Sequence, residues 1–394
     1  MEGYMSTDKE RVLIAGGAIM GSFAAYYLRR LGFEGDITVI EADPTYVRSS
    51  TALSAASIRT QFGCPINIHM SLFGADLFRN ITKEFGPDAD IGFVERGYLI
   101  IGSEAQKAAR SAGVAMQNAE GAQVAALNPD MAQKQFPWLN VSDIGIATYG
   151  LANEGWFDAW SLLQLVRSAA RRLGVTYVTG RVDAIMVHGA RVTGVRMDDG
   201  TVLPGQWCIN ATGATAAHIV RDVLPPLPVE PRKRTAFSIK APLAADNFPM
   251  LFDDSGAWIR PEGQGFIAGI APDTAADPDA TGDFEPSYDL LEDILWPALA
   301  HRVPALENLR MERAWAGHYE VNTLDHNAII GPHDEIGNLF FMNGFSGHGV
   351  MHAPAAGRGI AECILWGKYQ TLDLSPLGMK RIRSGTALHE TVVY

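Results

Sequence analysis

The sequence predicts a mixed α/β (α+β) fold that opens on a βαβ unit with a parallel sheet, and its length suits a second domain. Three observations predict it. Arg11–Asp43 runs apolar strand, glycine-rich turn, helix, apolar strand. Arg181–Asn210 inserts short alternating segments, with turns at His188-Gly189 and Asp198-Asp199-Gly200, behind a helix. Asn338–Leu365 repeats the order of strand, glycine-rich turn and helix near the C-terminus.

The first stretch carries most of the information. Val12–Ala15 is an apolar run, Gly16, Gly17 and Gly21 follow, a helical segment Ser22–Leu31 ends at Gly32, and Ile37–Ile40 stops at Glu41. This is the βαβ dinucleotide fingerprint, in which a bare helix N-terminus faces the pyrophosphate. Cofactor contacts are expected from Gly16, Gly17, Ala18, Ile19, Met20, Gly21, Glu41 and Ala42. Glu41, 20 residues past Gly21, suits ribose hydroxyls and would repel a 2′-phosphate, which argues against NADP. Ala18 occupies the middle glycine position of the fingerprint. Its methyl stands where backbone should approach phosphate, Gly17 offsets this in part, and weaker or slower cofactor binding is expected.

Residues 42–63 follow, crowded with Ser49, Ser50, Thr51, Ser54, Ala55, Ala56 and Ser57. Small residues admit a flat ring and hydroxyls can bond a ribityl chain or a phosphate, although a plain surface loop would look similar. Pro65–Phe85 has helical spacing, Phe93–Gly102 strand character and Ala105–Ala126 helical character, broken at Asn128-Pro129. Asp143–Asn153 returns to strand and turn. Asp158 is placed to cap a helix running through Leu173 and closed by Gly174, and Val175–Val178 is a strand. The meander of Arg181–Asn210, containing Val182, is unlike a nicotinamide dehydrogenase, which would keep alternating strand and helix. It returns to a buried strand, Trp207–Asn210, and to Ala211-Thr212-Gly213, a second close backbone approach to a nucleotide. Leu224–Pro231 reads as a crossing between domains, Thr235–Ile270 as strand-rich, Asp273–Pro286 as an exposed loop, Asp289–Val303 as a helix and Arg313–Glu320 as an aromatic strand facing a pocket. Gly344, Phe345, Ser346, Gly347, His348 and Gly349, followed by Val350 and Met351, form the last glycine-rich turn and the start of the helix expected over Ala353–Leu365. That helix N-terminus is aimed at a ligand carrying partial negative charge.

Composition bounds the partners. With 47% hydrophobic and 19% charged residues the chain can bury a large core, and 394 residues suit two domains. A net charge of −12 makes nucleic acid and anionic membrane surfaces poor partners. Cys64, Cys208 and Cys363 are far apart, which argues against a disulfide framework or a zinc site, and no metal-ligand spacing occurs. The N-terminal MEGYMSTDKE has the character of neither a signal nor a transit peptide, so a cytoplasmic location without integral membrane association is expected, as a monomer or small homo-oligomer.

The fingerprint, the meander, Ala211-Thr212-Gly213 and Gly344–Gly349 together resemble the D-amino-acid-oxidase/sarcosine-oxidase superfamily of FAD enzymes over nearly the whole chain. The nearest branch is the FAD-dependent oxidoreductase domain family that includes a mitochondrial complex I assembly factor. STALSAASIRTQF (50–62), INIHMSLF (66–73), AWAGHYEVNTLDHNAIIGP (314–332), GFSGHG (344–349) and TLDLSP (371–376) carry that match. The resemblance implies a glutathione-reductase-like FAD domain assembled from residues 1–92, 150–225 and 325–394. It implies a smaller substrate domain with an antiparallel sheet from 93–149 and 226–324, with FAD between the two. It further implies oxidation of an amine carbon to an imine that hydrolyses, with electrons passing to O2 or a carrier.

Position by position, the resemblance places Gly317 where covalent FAD would need a cysteine, so noncovalent FAD is expected, with neighbouring His318 the one residue that leaves attachment open. Met351 stands at a substrate-binding lysine and Ile267 near a lysine associated with oxygen activation. Arg59 falls on the carboxylate-binding arginine, where a guanidinium can hold a carboxylate bidentately; its alternative is a surface salt bridge. His348 is placed to touch flavin or substrate, or else to be a hydrogen-bonded structural histidine. His318 and Tyr319 suit a pocket or a packing role. Trp258 and Arg260 are candidates for the pocket wall, Arg260 also for a second substrate carboxylate. His352 offers to replace part of the lost positive charge. The remaining histidines, His69, His188, His218, His301, His326, His333 and His389, read as ordinary surface, loop or helix residues.

The expected function is FAD-dependent oxidation of a small secondary amino acid, an N-substituted glycine such as sarcosine or iminodiacetate, with O2 as acceptor. The alternatives are a dehydrogenase using a carrier, a non-catalytic FAD-bearing assembly factor, and a 2-hydroxyacid oxidase in which His348 serves as base.

Overall fold

The computed structural model describes residues 10–273, 277–388 and 390. Residues 1–9 of the N-terminal segment, three residues of the acidic loop and His389 lie outside the described residues. Two large sheets organise the chain. The first has six strands in the order Ile329–Pro332, Leu339–Asn343, Trp207–Asn210, Arg11–Ala15, Asp36–Glu41 and Thr176–Thr179. All neighbours are parallel except the first pair. The apolar run Val12–Ala15 is fully buried because both faces are covered. Helices Ile19–Arg30 and Gly349–Trp366 pack together on one face with Ala159–Arg172 beside them. The other face carries the expected antiparallel meander, Val182–His188, Arg191–Met197 and Val202–Pro204.

The second sheet has eight strands, in the order Arg310–Asn322, Val229–Lys240, Gly265–Gly269, Trp258–Glu262, Met250–Phe252, Tyr98–Gly102, Ile146–Gly150 and Val124–Leu127. One pair, Met250–Phe252 with Tyr98–Gly102, is parallel and the rest are antiparallel. Its core is separate, built on Phe237, Phe248, Phe266, Leu295 and Leu299. A two-stranded ladder, Ser57–Ile58 against Gly155–Trp156, lies between the chain segments that feed the two sheets.

Several expected elements shift. The helix expected over Pro65–Phe85 breaks at Asn80 into Pro65–Arg79 and Ile81–Phe85. The helix expected over Ala105–Ala126 stops at Ala119, and Val124–Leu127 is instead an edge strand. Asn128 then starts a new helix rather than only ending one, its side chain accepting from the Met131 N–H with Pro129 at the first position. Within Asp289–Val303, residues Leu291–Leu295 wind as a π-turn before the α-helix Trp296–Arg302. Asp158 caps Ala159–Arg172 as expected, accepting from Ser161 N at 2.7 Å. No helix among the described residues is long and apolar enough to cross a membrane.

Candidate active site

The fingerprint loop lies at the carboxyl end of the central strand of the parallel sheet. Gly16 has φ of +95°, and a Cβ there would overlap the Ala211 carbonyl, so the first glycine turn and the Ala211-Thr212-Gly213 segment are in direct contact. A Cβ on Gly21 would overlap the Gly16 carbonyl, which is the close helix–strand approach that the fingerprint requires. Ala18 is the N-cap of helix Ile19–Arg30 at φ −70°, with no side-chain cap and no acidic residue in the first turn. Thr51 Oγ1 stands 3.4 Å from Ile19 N. Glu41 ends the second strand and accepts from Gly17 N and Asp43 N, both at 2.8 Å, one on each carboxylate oxygen. Burial raises its pKa and these backbone donors oppose the rise. Ala42 follows it, and Val182, buried at the start of the meander, pairs with Met197. Thr212 bonds Asn210 Oδ1 through both its N–H (3.2 Å) and its hydroxyl (2.9 Å), and Gly213 has φ of +57° with open space where a Cβ would lie.

The segment after Glu41 crosses to the antiparallel sheet and is held there by side chains of that sheet. Ser49 Oγ donates to Tyr46 O, Ser50 Oγ donates to His318 O at 2.7 Å, and Ser54 Oγ accepts from Ala56 N. Ala56 has φ of +49°. Arg260 donates to the Ala55 carbonyl from both Nε (2.9 Å) and Nη2 (2.7 Å), while Nη1 serves Pro261 O and Glu262. Two of its three nitrogens thus fix the Ala55 carbonyl while the third ties the guanidinium to its own strand, and the guanidinium lies 5.8 Å from the Trp156 ring. Trp258 packs over Gly269, where a Cβ would meet its ring.

Beyond Ser57 the chain delivers Arg59. It is 3% exposed, which overturns the surface salt-bridge alternative. Its guanidinium lies 3.8 Å from the Phe62 ring centroid, Nη1 donates to Gln61 O, and Nη2 is 3.2 Å from His348 Nε2. His348 arrives from the last glycine-rich turn, where Gly344, Ser346 and Gly347 all have positive φ. Ser346 is held there by Asn322 N, which donates to its Oγ at 3.0 Å. His348 is the N-cap of helix Gly349–Trp366, which therefore starts four residues earlier than expected. Arg59 can only donate, so Nε2 is the acceptor and the imidazole proton belongs on Nδ1. Burial, then the Arg59 charge, holds the His348 pKa well below its ordinary value.

One turn on, His352 Nε2 is 3.1 Å from Ser71 Oγ, and its pKa is lowered to about 3 by burial and by Arg59. The expectation that His352 replaces lost positive charge is therefore corrected: it is neutral at pH 7. Phe62 meets the His348 ring edge-on at 4.9 Å and the His352 ring at a tilt at 5.3 Å. Val350 and Met351 follow in the same first turn; Met351 is buried, and Ser71 Oγ donates to its Sδ at 3.7 Å. Phe345, buried, bridges to Val321.

His318 and Tyr319 lie on the neighbouring strand with opposite directions. His318 Nε2 meets Asp283 O at 2.7 Å and its ring stacks on Phe284 at 4.2 Å. Tyr319 packs under Gly347, where a Cβ would meet its ring, and burial raises its pKa. Gly317 faces Leu53.

The residues present fit a dinucleotide. Asn343, fully buried at the end of the strand that leads into Gly344, has neither its side-chain oxygen nor its nitrogen partnered. A buried amide with neither atom partnered is an unmet donor and acceptor at the carboxyl end of the sheet, where ligands of this architecture lie. Glu41, at the end of the second strand, stands where an acid receives a ribose hydroxyl in this architecture. Sequence reasoning missed Asn343, and it missed Glu154, a fully buried carboxylate that accepts from Thr60, Gln61 and Tyr98. Glu320 was missed too. It is buried beneath the turn, accepts from Gly344 N at 3.1 Å, and is pushed up to about 8 by burial. No local pattern marks any of the three.

Comparison with known proteins agrees with this geometry. Residues 11–363 match the family model DAO, FAD dependent oxidoreductase. The chain is 38% identical to FAD-dependent oxidoreductase domain-containing protein 1 of Bos taurus, over 98% of this chain and 87% of that protein. It is 39% identical to the Xenopus laevis protein of the same name, over 98% and 85%. Among solved structures, L-proline dehydrogenase from P. horikoshii superposes with a TM-score of 0.84 at 27% identity, covering 96% of this chain and 99% of that one. The chain belongs to the FAD-dependent oxidoreductase (DAO) family, and its cofactor is FAD.

Proposed function

We propose that the protein oxidises the C–N bond of a small secondary amino acid, an N-substituted glycine such as sarcosine or iminodiacetate, to an imine that water hydrolyses. The observation that carries this reading is Arg59, a buried guanidinium placed against a neutral His348 where the segment leaving the cofactor loop meets the antiparallel sheet. The relative L-proline dehydrogenase is named for a secondary amino acid, which supports the same substrate class. FAD, when bound, supplies the two-electron acceptor, and O2 takes the electrons on as H2O2. For R–NH–CH2–COO⁻ the balance is one O2 and one water consumed, and one primary amine, one glyoxylate and one H2O2 formed.

The chain's own residues do the rest. Arg59 holds the carboxylate. His348 and His352 stay neutral, so the fixed cation of the pocket is the guanidinium; it favours the carboxylate and disfavours an ammonium, and the substrate amine settles in its neutral form. No general base is then needed. Phe62 and Tyr319 exclude water around Arg59 and the Gly347 turn. FAD is held noncovalently, because Gly317 offers no nucleophile and the His318 ring is turned to Asp283 and Phe284.

The test is stoichiometry. Aerobic incubation with iminodiacetate should release glyoxylate and H2O2 in equal amounts. A second reading, a dehydrogenase passing electrons to a carrier, draws support from Ile267, an apolar residue buried opposite Arg260 where the family resemblance puts an oxygen-activating lysine. Glyoxylate formed only with an added dye acceptor would favour that reading. No product with either acceptor would favour a non-catalytic FAD-bearing assembly factor.

A further inference from the structure

Glu154 is a carboxylate with 0% exposure, and its partners are hydrogen-bond donors rather than cations. Thr60 N (2.8 Å) and Thr60 Oγ1 (2.7 Å) donate to Oε1, and Gln61 Nε2 (2.9 Å) and Tyr98 N (3.1 Å) donate to Oε2. Burying a carboxylate without a cation is unfavourable for stability unless hydrogen bonds satisfy it, so four converging donors amount to a built receptor for an anion. The surrounding backbone is shaped to it as well, since a Cβ on Gly150 would overlap the carboxylate. Two of the donors are backbone N–H groups that cannot become acceptors, so an amide in this place would set N–H against N–H.

The residues that Glu154 grips adjoin Arg59. Gln61 is fixed at its side chain by Glu154, by Tyr98 O at 3.2 Å and by Thr148 Oγ1, which donates to Gln61 Oε1 at 2.6 Å. Its backbone carbonyl accepts from Arg59 Nη1. The carboxylate therefore determines where that carbonyl stands, and the carbonyl, with Phe62 and His348, determines where the guanidinium points. An arginine side chain carries several rotatable bonds, and holding it in one orientation before the ligand arrives removes an ordering cost from binding.

We propose that Glu154 is a positioning residue that holds Arg59 in its carboxylate-binding orientation through Thr60 and Gln61. This rests on the reading of Arg59 as the substrate-carboxylate anchor. The test uses FAD-loaded protein and acetate as the probe, read from the perturbation of the bound flavin spectrum. Glu154→Gln should raise the acetate Kd about 10-fold or more with the affinity for FAD unchanged. With iminodiacetate it should raise KM and leave kcat near that of the unmodified protein. A purely structural residue would instead lower FAD retention, kcat and thermal midpoint together.

Arg59→Ala separates the two ideas. If acetate fails to bind the unmodified protein, or binds Arg59→Ala equally well, the anchor reading falls and this proposal with it. If Arg59→Ala loses acetate and Glu154→Gln binds it unchanged, the positioning proposal alone is overturned. Should Glu154→Gln not retain FAD, Thr148→Val decides, because it removes only the hydroxyl that steadies the Gln61 amide. A rise of about threefold in acetate Kd supports the proposal, and an unchanged Kd overturns it.

Discussion

Arg59 and His348 meet across 289 residues of sequence, and each gives the other its character. Burial, and after it the guanidinium charge, holds the imidazole pKa well below its ordinary value, and the imidazole nitrogen helps aim the guanidinium. If Arg59 binds the substrate carboxylate through two charge-assisted hydrogen bonds, Arg59→Ala should raise KM on the order of 100-fold, and steady-state kinetics on iminodiacetate would show it. Arg59→Lys should recover only part, since an ammonium cannot reproduce the fork. Ala18 gives a second prediction at this scale. Its φ of −70° is ordinary for any residue, so a glycine there is not needed for the turn and its methyl matters only by bulk. Ala18→Gly should therefore tighten FAD binding, measured by fluorescence on dilution, with little change in fold stability. Equal affinities would show that Gly17 already gives the phosphates all the room they need.

At the scale of elements, the sequence declared those whose signals are local. The Gly16–Gly21 loop, the meander turns and the Asp158 cap all combine a residue type with a neighbour a few positions away. The cap should show its usual strength, Asp158→Ala lowering stability by about 1 kcal/mol in urea unfolding. A change within error would mean that tertiary packing alone holds the Ala159–Arg172 helix. The misread element, Val124–Leu127, is alanine-containing and continues a helical run, yet it pairs with Ile146–Gly150, a partner no local pattern could announce. The candidate site divides in the same way. Arg59 and His348 sat in motifs that singled them out, and the structure brings the two side chains together. Glu154 touches Gln61 across 93 residues, Glu320 meets the turn across 24, and Asn343 is conspicuous only because its amide has no partner. His352 was misjudged because its charge depends on burial and on Arg59, neither of which is written in its neighbours.

For the whole molecule, the buried ionisable groups around the Gly344–Gly349 turn link stability to pH in opposite senses. His352 has a folded pKa of about 3, below the ordinary 6.5, so the unfolded chain binds the extra proton, and stability falls as pH drops from 6.5 toward 3. Glu320, at about 8, is raised from 4.5, so the folded chain binds the extra proton, and stability falls as pH rises from 4.5 toward 8. His352→Gln should flatten the acid limb of a urea-midpoint profile. Glu320→Gln should gain stability over the unmodified protein progressively between pH 4.5 and 8. Parallel profiles for variant and unmodified protein would contradict either assignment.

These groups lie around the Gly344–Gly349 turn, and the antiparallel sheet presents Tyr319 to that turn and Arg260 to the segment that carries Arg59. The measurement that tests this arrangement most directly is anaerobic mixing of the FAD-loaded protein with sarcosine, iminodiacetate and L-proline while the visible flavin band is followed. The expected result is loss of the band with at least one N-substituted glycine, abolished at the same concentration in Arg59→Ala. A band that persists with every secondary amino acid, or that bleaches equally without Arg59, would contradict it.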